Sequence, residues 1–202
     1  MAAPKGGHCF LNLRLMNTGG KLQAMNLWHD IAPGENFPED INVIVEIPKG
    51  SHNKYEIDKD TGLIKLDRAN YSAAPYPTEY GFVPQTLWDD GDAIDVLLLT
   101  TYPIPAGILV NARPVALMEM TDSDESDWKI IAVPSEDYRF DDIQDVGDLN
   151  KHLLRELQHF FEQIKKLKKK PTDVTIHGFK PRAEALRALQ KASKMYKDKF
   201  SK

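Results

Sequence analysis

Two hydrophobic periodicities divide the chain. Up to about residue 147 the apolar positions fall in short β-branched runs bounded by proline, glycine and acidic turns, and from Asp148 onward they recur every three to four residues. Ile41-Asn42-Val43-Ile44-Val45-Glu46-Ile47, closed by Pro48, predicts a strand; Lys54–Asp58 and Leu63–Arg68, on either side of Asp60-Thr61-Gly62, predict a hairpin. Alternation puts Lys54, Glu56 and Asp58 on one face of its first strand and Tyr55 and Ile57 on the other. Residues 69–88 hold Pro75, Pro77 and Pro84 among Tyr71, Tyr76, Tyr80 and Phe82. So much proline excludes a helix and predicts a rigid loop presenting aromatic hydroxyls. Ala93–Leu99 predicts a buried strand, Ile108–Met120 one long strand or two short ones around Pro114, and Trp128–Val133 another.

Beyond Asp148, read as the N-cap, the residues Leu149, Leu153, Leu157, Phe160, Phe161, Ile164 and Leu167 mark one face of a long helix. Lys165–Lys170 load its C-terminal turn, where cations are favoured, and Pro171 stops it. Val174–Phe179 predicts a short strand, and Pro181 opens a final helix through Leu186, Leu189 and Met195. The sum is an α+β domain: a barrel-like core of about five to seven short strands with one long helix and a C-terminal helix.

Composition narrows the class without naming a function. The 202 residues are 42% hydrophobic and 28% charged, with a formal net charge of −4, which fits a globular protein and gives no overall sign of a nucleic-acid binder. The single cysteine, Cys9, excludes an internal disulfide framework and fits a reducing, cytoplasmic compartment. No apolar stretch approaches the ~18 residues of a membrane span. Residues 1–24 contain Lys5, Arg14 and Lys21 but no acid. They read as a disordered extension or an upstream translation start, with organellar targeting as the lesser alternative; residues 25–202 read as a single domain.

Candidate chemistry concentrates in Asp89-Asp90-Gly91-Asp92-Ala93-Ile94-Asp95, which runs into Val96-Leu97-Leu98-Leu99. Asp95 sits inside an apolar run, and a buried carboxylate requires a cation or a hydrogen-bond network. The spacing is not that of an EF-hand loop. Asp90, Asp92 and Asp95 offer hard oxygens only, which suits Mg²⁺ or Mn²⁺ and disfavours zinc. A second acidic cluster, Asp122 to Asp127, occupies another strand-loop-strand junction; it either converges with the first or is an exposed hairpin tip. His159 and His177 lack metal-ligand spacing and read as packing or interface residues. Glu46, Asp90, Asp92, Asp95, Asp122 and Asp127 interleaved with Lys54, Arg68 and Lys129 suit a polyanion bound through bridging divalent metals, hence phosphoanhydride chemistry.

Val45-Glu46-Ile47-Pro48, Lys54-Tyr55-Glu56, Asp67-Arg68, Tyr76-Pro77-x-x-Tyr80-Gly81-Phe82, Asp90-Gly91-Asp92-x-x-Asp95-Val96, Arg113-Pro114-Val115, Asp122 with Asp127-x-Lys129, Val133-Pro134 and His159-Phe160-Phe161-Glu162, in this order, resemble the soluble family I inorganic pyrophosphatases of compact prokaryotic type. The resemblance implies an OB-like five-stranded barrel, Mg²⁺-dependent hydrolysis of pyrophosphate and a homohexamer with His159 and the long helix at its interfaces. It implies Asp90, Asp95 and Asp127 around an activating metal, Asp92 as general base, and Asp122 and Glu46 toward metals that arrive with substrate. Lys54, Arg68, Tyr80, Lys129 and Lys165 would contact phosphate, with Glu56 and Tyr76 supporting. The sequence departs from the family pattern at Ile164, where tyrosine is usual, at Ala93, where proline is, and at Glu79, where asparagine is common. The Ile164 departure and the lysine run motivate one alternative, a catalytically silent OB-like module binding nucleic acid or another polyanion. The other alternative is a hydrolase acting on a different phosphoanhydride such as a nucleotide, against which the lack of a P-loop speaks.

Overall fold

The computed structural model describes residues 25–59 and 61–200; the expectation for residues 1–24 lies outside them. Strand β1 (Ile41–Ile47) is buried at every position but Asn42, as its branched side chains suit a sheet covered on both faces. It bonds antiparallel to β4 (Glu79–Phe82) on one edge and to β6 (Leu109–Asp122) on the other. β4 pairs with β5 (Asp95–Leu98), β5 runs parallel to β8 (Lys129–Pro134), and β8 returns antiparallel to β6. Those pairings close a ring of five strands, the OB-like α+β architecture expected. β6 serves four partners because it is one long strand with bulges, the first between Pro114 and Ala116, where proline has no N–H to give the ladder. Its far end pairs with β7 (Glu125–Ser126) and with β9 (Val174–Pro181), while β2 (Asn53–Ile57) and β3 (Ile64–Ala69) form a separate hairpin.

The ring's two faces feed two clusters. Leu97, Met118, Ile131 and Val133 pack with Leu157, Phe160 and Phe161 of α1 (Lys151–Gln163). Their neighbours Val96, Leu98, Leu117, Ile130 and Ala132 pack with Ala185, Ala188, Leu189 and Ala192 of α2 (Arg182–Phe200).

Three local expectations are corrected. The proline-rich stretch 69–88 contains a fully buried strand, β4, whose four residues are too few to show a period. Asp148 closes a 3-10 turn, accepting from the Gln144 and Asp145 N–H groups. The helix begins two residues later, with Asn150 as N-cap accepting from His152 at 2.8 Å. That helix ends at Gln163, so Lys165–Lys170 follow it in turns, and Lys165 and Lys166 find their partners in Asp122 and Asp173 instead of in helix carbonyls.

Candidate active site

A cleft of about 560 Å³ opens where the β2–β3 hairpin, the loop before β5, the β6–β8 connection and the end of α1 meet. Each contributor is placed by its strand. Glu46 comes from β1 beside a register shift, Tyr80 from β4, Asp95 from the first position of β5 and Lys129 from the first of β8. Asp90 and Asp92 lie on the turn before β5, where Gly91 adopts φ 87°, a conformation that costs glycine nothing. Ser123 and Asp124, at φ 54° and 70°, form the two-residue turn between β6 and β7 and point out to solvent. The flanking Asp122 and Asp127 line the cleft, so the second acidic cluster is both a hairpin tip and a contributor to the site. Lys54, Glu56 and Arg68 come from the hairpin, Tyr76 from the proline-rich loop and Lys165 from the turn after α1. Every residue singled out in the sequence for this site therefore borders one cleft.

The charges inside it are tightly interlocked. Lys129 Nζ donates to Asp95 Oδ2 at 2.6 Å and contacts Asp127 Oδ1, while the Tyr80 hydroxyl donates to the same Asp95 oxygen. Burial disfavours the Lys129 charge, but Asp127 and Asp95 outweigh it and hold its pKa above the ordinary lysine value. Asp95 is shifted upward, by burial first, with Lys129 pulling the other way. Glu46 is pushed up to about 8 by burial and then by the charge of Asp95, even though its Oε1 accepts from the Ile57 N–H at 2.7 Å. Burial raises Asp90 to about 6. Asp122 goes the other way: Lys165 outweighs its partial burial and holds it below the usual carboxylate range. Lys54 bridges Glu56 at 3.2 Å and Asp67 at 3.3 Å, and Asp67 also holds Arg68.

Asp67, which holds Lys54 and Arg68, and Lys59, which lines the cleft, are among the participants that sequence reasoning left without a role, as are Asp58 and Lys65. Asp67 was legible, since it adjoins Arg68 on a strand whose register sets Arg68 opposite Lys54. Lys59, which contacts Asp92, carried no signal in spacing or period.

Among the described residues no group of three or more histidine, cysteine or carboxylate side chains stands preassembled around a metal position. The donor set nevertheless fits a hard divalent cation. Eight carboxylates and six lysine or arginine side chains line the cleft, all its anionic donors are oxygens, and burial raises Glu46, Asp90 and Asp95 as it raises carboxylates short of counter-charge.

The family model described as inorganic pyrophosphatase matches residues 43–197. The soluble inorganic pyrophosphatase of Zea mays is 43% identical over 187 residues, 92% of this chain and 86% of that protein. The inorganic pyrophosphatase of Thermus thermophilus is 45% identical over 165 residues, 81% of this chain and 94% of that one. The crystal structure of inorganic pyrophosphatase from Thermus thermophilus superposes with a TM-score of 0.83 at 44% identity, covering 86% of this chain and 99% of the other.

Proposed function

The chain belongs to the inorganic pyrophosphatase family, and we propose that it hydrolyses inorganic pyrophosphate to two orthophosphates by attack of a cation-activated water, with Asp92 as the general base. The observation that carries this reading is the convergence of Glu46, Asp90, Asp92, Asp95, Asp122 and Asp127 with Lys54, Arg68 and Lys129 in a single cleft. Asp90, Asp95 and Asp127 would hold a divalent cation, with Asp122 and Glu46 serving those that enter with substrate. Mg²⁺ suits the all-oxygen donors, and Mn²⁺ is the substitute they would accept. When bound, such cations lower the pKa of attacking water and neutralise the phosphoryl oxygens.

The protein's own groups do the rest. Lys54, Arg68, Lys129 and Lys165 supply the positive charge that a multiply anionic substrate needs in an acidic cleft. Asp92, an open carboxylate with its side chain 57% exposed, accepts the proton of the attacking water. Tyr80 hydrogen-bonds Asp95 and orients it; Tyr76, buried beside it with ring centroids 5.9 Å apart, and Glu56, paired with Lys54, support the same wall. The alternative of a silent nucleic-acid module has no comparable support, since the matching family model, the relatives and the solved structure are all inorganic pyrophosphatases.

The reading extends to a homohexamer in the cytoplasm built from a single domain over residues 25–202, which size-exclusion chromatography with light scattering on full-length and 25–202 protein would test. Phosphate release from pyrophosphate tests the reaction. Turnover with Mg²⁺ that chelation abolishes is expected; no phosphate release with either Mg²⁺ or Mn²⁺ would refute it.

A further inference from the structure

Lys59 has no part in the roles assigned above, yet its ammonium lies on the carboxylate proposed as the base. Lys59 Nζ contacts Asp92 Oδ1 and sits 5.7 Å from the centroid of the Trp28 ring, and all three residues line the cleft. The chain next to Lys59 is pinned: Asp58 Oδ1 accepts from the Thr61 N–H and hydroxyl, each at 2.9 Å, and Asp58 Oδ2 accepts from Lys65 at 2.9 Å. The Trp28 ring is pinned too, its indole N–H donating to the Thr86 carbonyl at 2.8 Å. What is left free to redirect is the Lys59 side chain, 55% exposed. Lys129 has no such freedom, being 2% exposed between Asp95 and Asp127.

An ion pair between two open partners adds little to stability, so the ammonium can leave Asp92 at small cost. A pyrophosphate carrying several negative charges attracts it more strongly than one carboxylate does. The face of a fixed indole keeps a favourable cation contact along the way. We infer that Lys59 is a substrate-binding residue that quits Asp92 as pyrophosphate enters, contacts the phosphate nearer the cleft mouth from its place by Trp28, and frees the Asp92 oxygen in the same event. The inference rests on the hydrolysis reading and adds a residue to it.

The test compares wild type, Lys59→Met and Lys59→Arg in steady-state turnover of pyrophosphate with Mg²⁺. Tryptophan emission is followed as imidodiphosphate, which resists hydrolysis, is titrated in, and Trp28→Phe isolates that ring's share from Trp88 and Trp128. The expected result is a KM raised about fivefold in Lys59→Met with kcat held within about twofold, recovery in Lys59→Arg, and a Trp28 emission change that Lys59→Met lacks. An unchanged KM together with an intact emission change in Lys59→Met overturns the inference and leaves hydrolysis standing. A wild type that releases no phosphate takes down both.

Discussion

Asp95 and Lys129 stand directly opposite each other on the parallel strands β5 and β8, and their side chains meet at 2.6 Å. Since Lys129 is also the partner of Asp127, one buried ammonium neutralises Asp95, where the first acidic loop enters β5, and Asp127, in the loop before β8, and so joins the two acidic loops electrostatically. Lys129→Met therefore leaves two carboxylates in a poorly solvated cleft without their cation. Urea unfolding after chelation should show a loss of about 3–5 kcal/mol, part of which added Mg²⁺ restores. A variant as stable as wild type under both conditions would mean that the pair is not holding these loops.

Ile164, 8% exposed at the C-cap of α1, places an apolar side chain on the cleft wall beside Lys165. Ile164→Tyr adds a hydroxyl within the phosphate-binding region, and a hydrogen bond to a charged group is worth roughly 1.5–3 kcal/mol. Steady-state kinetics should show KM for pyrophosphate falling by about tenfold with kcat little changed. An unaltered KM would show that the hydroxyl does not reach substrate.

At Gly81, β4 leaves no room for a side chain against β1: a Cβ there would meet the Ile44 carbonyl oxygen well inside contact distance. Gly81→Ala must push the two strands apart at a wall that carries both Glu46 and Tyr80. The expected cost is about 3 kcal/mol in thermal or urea unfolding, with activity lost alongside. Wild-type stability would contradict the tight register.

His29 stacks on Trp28 with ring centroids 4.7 Å apart, and its Nδ1 lies 2.7 Å from the Tyr196 hydroxyl of α2. Burial lowers its pKa below the ordinary value of 6.5, and the nearby Asp30 offsets this only in part. The unfolded chain thus takes up a proton that the folded one resists, so this contribution is present at pH 7.5 and is lost as pH falls through 6.5 toward the folded pKa. The stability difference between wild type and His29→Asn, followed by denaturation from pH 7.5 to 5, should shrink in that window. A constant difference would assign no proton linkage to His29.

Much of this was legible in the chain because buried strands and clustered acids leave strong local marks. Asp95 heads the otherwise apolar Asp95–Leu98 and was the signal for chemistry there, and Glu46, the one charge in Ile41–Ile47, stood out among the carboxylates interleaved with lysine and arginine. What stayed hidden is non-local. β4 is four residues long between prolines, and only its pairing with β1 and β5 makes it a strand. Asp148 looks like a helix cap by type, but the extended backbone at Leu149 gives that role to Asn150. Lys59 acquires its neighbour Asp92 solely through the packing of the hairpin against the loop before β5, which no sequence period encodes.

Hydrolysis of pyrophosphate in this cleft with Asp92 as the base is put to the test by phosphate release from wild type and Asp92→Asn at saturating Mg²⁺, with circular dichroism confirming that both are folded. The substitution keeps the side chain's shape and removes its capacity to take a proton. The expected result is robust wild-type turnover and a fall of about 10²–10⁴-fold in kcat for Asp92→Asn. Asp92→Asn turning over at the wild-type rate would contradict the assignment.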